Sequence, residues 1–130
     1  MALTKVVFDM ATGVEAADAA ILKSDQTATL AVGYNVTTFN AGTQSSGTFT
    51  PAPASGNIQR AVNGGAFTLA PPATDCVMII QITNNASAGA VTTSGFTKVE
   101  GTLTTTNGDD FLLYITRVNG FNLLSVRALQ

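Results

Sequence analysis

The sequence has no histidine, no tryptophan and only one cysteine among its 130 residues. Without histidine, the chain lacks the side chain that proteins use most for general acid–base catalysis and for binding metals. The single Cys76 cannot form a disulfide within the chain, so the fold is not a disulfide-stapled secreted scaffold. Cys76 begins an apolar segment, where a free cysteine usually packs as a small hydrophobic residue. These absences predict a protein that is not an enzyme, binds no cofactor and is stabilised by burial.

Charge is also scarce, because only 11% of the residues are charged and the net charge is −2. An ordinary soluble domain carries about 25% charged residues. The basic residues are scattered along the chain: Lys5, Lys23, Arg60, Lys98, Arg117 and Arg127. Such scatter offers no basic stripe for a phosphate backbone, so nucleic-acid binding is not expected. No apolar run approaches the roughly 18 residues of a membrane span, and the N-terminus lacks a secretory signal, which predicts synthesis in the cytoplasm without membrane insertion.

The clearest structural signal is Asn119-Gly120, which lies between two β-prone segments, 110–118 and 121–129. Asn-Gly favours the tight type I′ turn, because both central residues of that turn need positive φ. A two-residue loop then pairs Val118 with Phe121 and sets the register of the whole hairpin.

This register predicts a hairpin with two different faces. The apolar face, to which we also assign the Val118–Phe121 pair, contains Ile115–Leu124, Leu113–Val126 and Phe111–Ala128. The mixed face contains Leu112, Tyr114, Thr116 and Leu123. We expect the apolar face to meet the domain core and the mixed face to contact another subunit.

Other segments also have the composition of short strands. Residues 76–83 are apolar on nearly both faces, which predicts a central strand. Residues 57–62 and 66–70 flank Asn63-Gly64-Gly65, which predicts a second hairpin with Phe67 and Leu69 facing inward. Further short strands are expected at 34–39, 47–50, 90–93 and 96–99. No internal repeat is evident, and the pattern predicts an all-β, single-domain antiparallel β-sandwich of jelly-roll type spanning residues 31–130.

The first 30 residues have a different composition from the rest of the chain. Val6, Val7 and Phe8 form a short apolar run, and an Ala-rich stretch follows at 14–23. That stretch has helical composition but is too short for a stable isolated helix. We predict that residues 1–30 form an N-terminal arm, whether loop, helix or segment ordered by a partner, and that its apolar run contacts another protein.

Asp109 and Asp110 are the one local pair of acidic residues that could bind a metal. Adjacent carboxylates in a loop can contribute oxygen ligands to calcium, which needs six or more of them. The sequence contains no spaced D-x-D-x-D pattern, so a turn leading into the last hairpin is the preferred interpretation and no metal is expected.

Two long strings resemble small virion structural proteins of tailed bacteriophages: FNAGTQSSGTFTPAPASGNIQRAVNGGAFTLAPPATDC and ITNNASAGAVTTSGFTKVEGTLTTTNGDDFLLYITRVNGFNLLSVRALQ. The resemblance covers about residues 38–130 and is carried by the order of these phrases. It implies a non-enzymatic protein on the phage particle that forms a homotrimer. The family fixes no active-site residue, so none is assigned here.

Two functions follow from the resemblance. In the first, the protein is a capsid decoration, or cement, protein that binds across capsomers of the major capsid protein or another virion protein. In the second, it is a head- or tail-fibre component that contacts a glycan or protein on the host surface. We expect decoration, because the sequence shows no repeated shaft that would give a fibre its reach.

Overall fold

The computed structural model describes residue 33 and residues 35–129. In this part of the chain, β-strands are connected by turns and loops and by one 3-10 turn at Pro53–Ser55. The strands are β1 (Phe39–Gln44), β2 (Thr48–Phe49), β3 (Ile58–Asn63), β4 (Phe67–Leu69), β5 (Cys76–Asn84), β6 (Val91–Thr93), β7 (Lys98–Glu100), β8 (Asp110–Val118) and β9 (Phe121–Ala128). The predicted all-β class is therefore confirmed.

The strands form two sheets with mainly parallel pairing. The larger sheet has the order β1-β3-β5-β8-β9-β7, and the smaller sheet has the order β2-β4-β6. Pairing is parallel among β1, β3 and β5, and again among β2, β4 and β6. In the larger sheet, β8 is antiparallel to both of its neighbours, β5 and β9, whereas β7 is parallel to β9.

Three successive coils generate this arrangement. Each coil places one strand in the larger sheet and a shorter strand in the smaller sheet, and the chain advances about 20 to 24 residues from one coil to the next. The result is a β-solenoid-like stack closed by a hairpin. The predicted antiparallel sandwich or jelly roll is wrong. The coils repeat in the structure, although no repeat is evident in the sequence.

The second predicted hairpin is also wrong. β3 and β4, which flank Asn63-Gly64-Gly65, belong to different sheets and do not pair with each other. The Asn63 side chain is fully buried and binds groups of the next coil, so the chain turns a corner there instead of folding back. The short connection thus joins two sheets, although its residues would also suit a hairpin.

Amide side chains are aligned at this corner in all three coils. Gln44 pairs with Asn63, and Asn63 pairs with Asn84. The Asn63 side-chain nitrogen donates to Asn84 Oδ1 at 3.0 Å and to the Gly89 carbonyl at 2.9 Å. Its oxygen accepts from the backbone nitrogens of Gly65 at 3.3 Å and Gly89 at 3.1 Å. Asn63 therefore satisfies backbone groups in two coils at once.

A loop closes the same corner above the third coil. The Asn84 side-chain nitrogen donates to the carbonyls of Thr104 at 2.9 Å and Thr106 at 3.1 Å. The Gly108 backbone nitrogen donates to the Asn84 carbonyl at 2.9 Å, just as Asn85 donates to Asn63 and Gly64 donates to Gln44. The loop therefore occupies the position that a further coil would take at this corner.

The corner also requires a glycine. A Cβ atom on Gly89 would lie 2.1 Å from the Ala66 backbone nitrogen, which is impossibly close. Gly89 accordingly lets the third coil pack directly on the backbone of the second coil.

The predicted hairpin of β8 and β9 is confirmed in its turn and its register. Val118 pairs with Phe121, and Asn119 and Gly120 have φ of 48° and 82°, as a type I′ turn requires. The inward side chains of β8 and β9 join those of β3, β4 and β5 in one core. The core comprises Ala61, Phe67, Leu69, Met78, Ile80, Ile82, Phe111, Leu113, Ile115, Leu124 and Val126. The inward orientation predicted for Phe67 and Leu69 is confirmed.

The predicted central strand is confirmed as β5, which lies between β3 and β8. Cys76 is half-buried and packs against the core, as expected of a small hydrophobic residue. Of the strand expected at 34–39, residue 34 lies outside the described residues, residues 35–38 are not in a strand, and β1 begins at Phe39 and continues to Gln44. The predicted arm at 1–30, with Val6, Val7 and Phe8, lies outside the described residues.

Replacing Asn63 with alanine should destabilise the fold by about 2 to 4 kcal/mol, because each buried polar group left without a partner costs about 1 to 3 kcal/mol. The substitution leaves the backbone nitrogens of Gly65 and Gly89 without their acceptor. Urea denaturation of the purified protein measures the change.

The matched control is Asn107→Ala, because the Asn107 side chain is exposed and makes no hydrogen bond in the described part of the chain. It should change stability by less than about 0.5 kcal/mol. Equal denaturation midpoints for the two variants would show that the buried amide does not hold the corner.

Candidate assembly surface

The outer face of the larger sheet follows from alternation along β8 and β9. Since successive strand residues point to opposite faces, the residues between the core positions must point outward. The four hairpin residues predicted for an interface lie on this outer face: Leu112, Tyr114, Thr116 and Leu123. Thr116 pairs directly with Leu123, whereas Leu112 and Tyr114 occupy neighbouring rows.

The outer face continues across β5 and β3. Val77 pairs with Thr116, and Ile79 pairs with Tyr114 on one side and Ile58 on the other. Val77 has 60% of its surface exposed, whereas Ile58 and Ile79 are half-buried. An apolar row therefore crosses three strands.

Exposure of large apolar side chains is greatest near the hairpin turn. Val118 is 59% exposed, Phe121 is 67% exposed and Leu123 is 38% exposed. We call the surface formed by Val77, Thr116, Val118, Phe121 and Leu123 the tip patch. A shallow, mainly apolar groove within it is bordered by Thr97 and Lys98.

Sequence reasoning missed three members of the tip patch. It assigns Val118 and Phe121 to the buried face, but both lie on the outer face with Thr116, because residues two apart on a strand share a face. Correct counting from the turn would have found them. Val77 could not be found in this way, because both faces of its strand are apolar.

Charged residues of the outer face include Lys98, which pairs with Leu123 beside the tip patch, and Arg60 and Arg127 in the row of Leu112. Lys98 Nζ is 2.8 Å from Glu100 Oε1, and both side chains are well exposed. A hydrogen bond from Lys98, reinforced by its positive charge, lowers the pKa of Glu100, and the same pair raises the pKa of Lys98. Among the residues that the structure describes, Lys98 is the one charged residue that borders the groove, and Glu100 is its partner.

The two edges of the larger sheet are poorly suited to adding another strand. The β1 edge has a register irregularity between Asn40 and Thr43, where Gly42 has a φ of 75°. The β7 edge is only three residues long and carries Lys98 and Glu100. Irregularities, short length and charge all discourage edge-to-edge pairing. Contacts with other proteins are therefore better made by the sheet face than by these edges.

The smaller sheet presents a different outer surface. Thr48, Thr68 and Thr92 are aligned across its three strands, and the hydroxyls of Thr68 and Thr92 are 2.9 Å apart. Small Gly and Ala residues flank them. A shallow pocket lies among these residues, and Phe67, which is itself buried, forms part of its lining.

Asp109 and Asp110 are held by two different threonines. Thr104 Oγ1 donates to Asp109 Oδ2 at 2.5 Å, and Thr83 Oγ1 donates to Asp110 Oδ1. Among the residues the structure describes, no three His, Cys, Asp or Glu side chains cluster as metal ligands would. The carboxylates thus serve as acceptors where the chain enters β8.

A polar cluster fixes the hairpin turn against the connection between β4 and β5. Arg117 donates to the Pro72 carbonyl at 2.6 Å, and its Nε lies 3.6 Å from Asp75. Asp75 Oδ2 accepts the backbone N–H of Asn119 at 2.9 Å. The position of the tip patch therefore depends on Asp75 as well as on the core.

The comparisons with known proteins leave the family of the chain open. No family model, curated protein or solved structure matches the sequence or the fold. Within the described residues, no helix has the length and hydropathy needed to cross a membrane.

Cys76 should react slowly with thiol reagents in the folded protein. Burial raises the pKa of its thiol above the ordinary value of 9.0, and this outweighs the opposing effect of the Arg117 charge. Since the thiolate is the reactive form, a raised pKa leaves less of it at any given pH. The pH profile of alkylation should therefore lie at higher pH for the folded protein than for the protein in urea.

The variant Arg117→Gln should shift the folded profile further toward high pH, because it removes the positive charge that favours the thiolate. A folded profile at or below the pH of the unfolded profile would contradict this account of Cys76.

Proposed function

We propose that the protein is a non-enzymatic structural component of a tailed-phage particle and that it assembles through the outer face of its larger sheet. The observation that carries the proposal is the tip patch, where Val77, Val118 and Phe121 are each more than half exposed. Contiguous exposed apolar surface of this kind is typical of protein–protein contacts. The partner that we infer is a second copy of the chain, within a homotrimer.

The size of the hydrophobic contribution decides how much of the face takes part. Fully burying a large apolar side chain gains about 1.5 to 3 kcal/mol, so completing the burial of these half-exposed side chains gains about 1 kcal/mol each. Association costs about 4 to 15 kcal/mol in lost translational and rotational freedom. The tip patch alone is therefore too small, and the interface must extend over the neighbouring rows that include Tyr114 and Leu112.

The scarcity of charge in the rows nearest the hairpin turn also supports the outer face of the larger sheet as the interface. The polar side chains that flank the apolar residues of the Thr116 and Tyr114 rows on β5, β8 and β9 are neutral, such as Thr116 and Ser125, whereas the Leu112 row also contains the exposed Arg60 and Arg127. An interface that reaches the Leu112 row must therefore keep these two arginines at its rim or give them partners. The Lys98–Glu100 pair lies on the edge strand, where a polar rim usually surrounds an apolar interface.

The state of the nucleophilic and acidic groups supports a non-enzymatic role. Burial disfavours the Cys76 thiolate, and Asp109 and Asp110 are engaged by threonine hydroxyls. A reactive cysteine or a pair of catalytic carboxylates would instead need an activating neighbour and a cleft for substrate.

Capsid decoration remains the position that we propose on the particle. The three coils in the described part of the chain span about 15 Å at a strand spacing of about 4.8 Å, and a loop and a hairpin close the stack at one end. Such a short, closed stack suits a protein that covers a surface. A fibre component is the second candidate, because stacked parallel coils are a repeated architecture that the sequence did not reveal.

Phe121→Glu should abolish self-association without unfolding the chain, because Phe121 is exposed and a carboxylate in an apolar contact would lose its hydration. Light scattering over a range of concentrations should give a trimer for the wild type and a monomer for the variant. Thr92→Glu is the matched control, because it adds the same charge to the outer surface of the smaller sheet and should leave the trimer intact.

A wild-type protein that stays monomeric at all concentrations, or a Phe121→Glu variant that still forms the trimer, would contradict the proposed interface. Electron microscopy of phage particles that carry gold-labelled copies of the protein then distinguishes capsid decoration from a fibre position. Label distributed over the head supports decoration, and label confined to one vertex or the tail supports the fibre role.

A further inference from the structure

Asn-Gly occurs three times in the described residues, and the three copies have very different environments. They are Asn63-Gly64, Asn107-Gly108 and Asn119-Gly120. Asn-Gly is the dipeptide most prone to spontaneous deamidation, because glycine offers its backbone nitrogen little steric shielding. The chain therefore contains three potential modification sites with one local chemistry, which allows the effect of structure to be isolated.

The glycine nitrogen is the nucleophile of this reaction, and it is engaged in two of the three copies. The Gly64 nitrogen donates to the Gln44 carbonyl at 2.9 Å, and the Gly108 nitrogen donates to the Asn84 carbonyl at 2.9 Å. In the turn, by contrast, the Gly120 nitrogen donates no hydrogen bond within the described part of the chain.

The asparagine side chains separate Asn63 from the other two copies; Asn107 is exposed like Asn119, so the engaged Gly108 nitrogen is what distinguishes the Asn107 copy. Asn63 is fully buried, and its side chain makes four hydrogen bonds to Asn84, Gly65 and Gly89. Asn119 is exposed, and its side chain makes no hydrogen bond in the region that the structure describes. Rotating Asn63 into a reactive geometry would require local opening of the corner, whereas Asn119 must rearrange only a surface turn.

We propose that Asn119 is a site of spontaneous deamidation and that the fold selects it over Asn63 and Asn107. Hydroxide removes the Gly120 amide proton, and the nitrogen attacks Asn119 Cγ. A new N–Cγ bond forms, the Cγ–Nδ2 bond breaks and ammonia leaves, which gives a succinimide. Water then opens the ring at either carbonyl, so residue 119 becomes aspartate or isoaspartate, with no oxidation or reduction.

The product changes the end of the hairpin. The backbone N–H of Asn119 donates to Asp75 Oδ2 at 2.9 Å, so the modification adds a negative charge to a residue whose backbone already binds a carboxylate. Isoaspartate also lengthens the main chain by one atom in a two-residue turn that sets the register. Val118 and Phe121 flank the turn, so the reaction alters the tip patch; this consequence rests on the proposed function, whereas the reaction does not.

The test is peptide mapping by mass spectrometry of the full-length protein, incubated over time in mildly alkaline buffer. Each conversion to aspartate or isoaspartate adds about one dalton, and enzymatic methylation of isoaspartate distinguishes the two products. A parallel sample in concentrated urea is the control, because unfolding removes the structural differences among the three sites.

In the folded protein, Asn119 should deamidate faster than Asn107 and about tenfold or more faster than Asn63, which corresponds to about 1.4 kcal/mol in the barrier. In urea, the three rates should become similar. Faster reaction at Asn63 or Asn107 in the folded protein, an unmodified Asn119, or the same ranking with and without urea would each overturn the proposal. Because none of these outcomes depends on oligomeric state, failure here leaves the assembly proposal standing.

Discussion

Two buried asparagine side chains hold the corner where the chain passes from one sheet to the other: Asn63 binds backbone groups of its own coil and the next, and Asn84 binds the backbone of the loop above the third coil. In a parallel stack, this passage removes the backbone from regular strand pairing, and buried N–H and C=O groups without partners would be costly. The amides supply those partners. The three coils can therefore stack closely, with Gly89 packed on the backbone below it.

The rest of the architecture follows from the need to end such a stack. The loop that contains Thr104 and Thr106 satisfies Asn84, and the β8–β9 hairpin covers the remaining edge of β5 through antiparallel pairing. The change from parallel to antiparallel pairing extends the larger sheet to six strands. Its inner face is fully used by the core, which leaves a broad outer face on which Val77, Val118 and Phe121 remain exposed. The β8–β9 hairpin, which closes the stack, thus also provides much of the surface that we propose for assembly.

Local features of the fold could be predicted from the sequence, and long-range ones could not. Asn119-Gly120 fixes its hairpin within a few residues, so turn, register and inward residues such as Leu113 and Ile115 followed directly. Asn63-Gly64 has the same local chemistry but joins two sheets, because what decides its conformation is the Asn63 contact with Gly89 in the next coil. Parallel pairing between coils leaves little trace in a single sequence, since Gln44, Asn63 and Asn84 are aligned by structure and separated by connections of different lengths.

Only part of the candidate surface could be predicted from the sequence, again because local pairing is readable and long-range pairing is not. Tyr114 and Leu123 belong to the hairpin, whose register the turn sets, whereas Val77 joins them only through the pairing of β8 with β5.

The most direct test of this account is nuclear magnetic resonance of the Asn63 side-chain amide in isotope-labelled protein. A buried amide shared between coils should give protons that exchange slowly with solvent and show Overhauser contacts to Asn84 and Gly89. If 57–62 and 66–70 instead formed an antiparallel hairpin, the Asn63 amide would exchange rapidly and the backbone contacts would join those two segments. The first result would establish the corner and the parallel coils, and the second would contradict both.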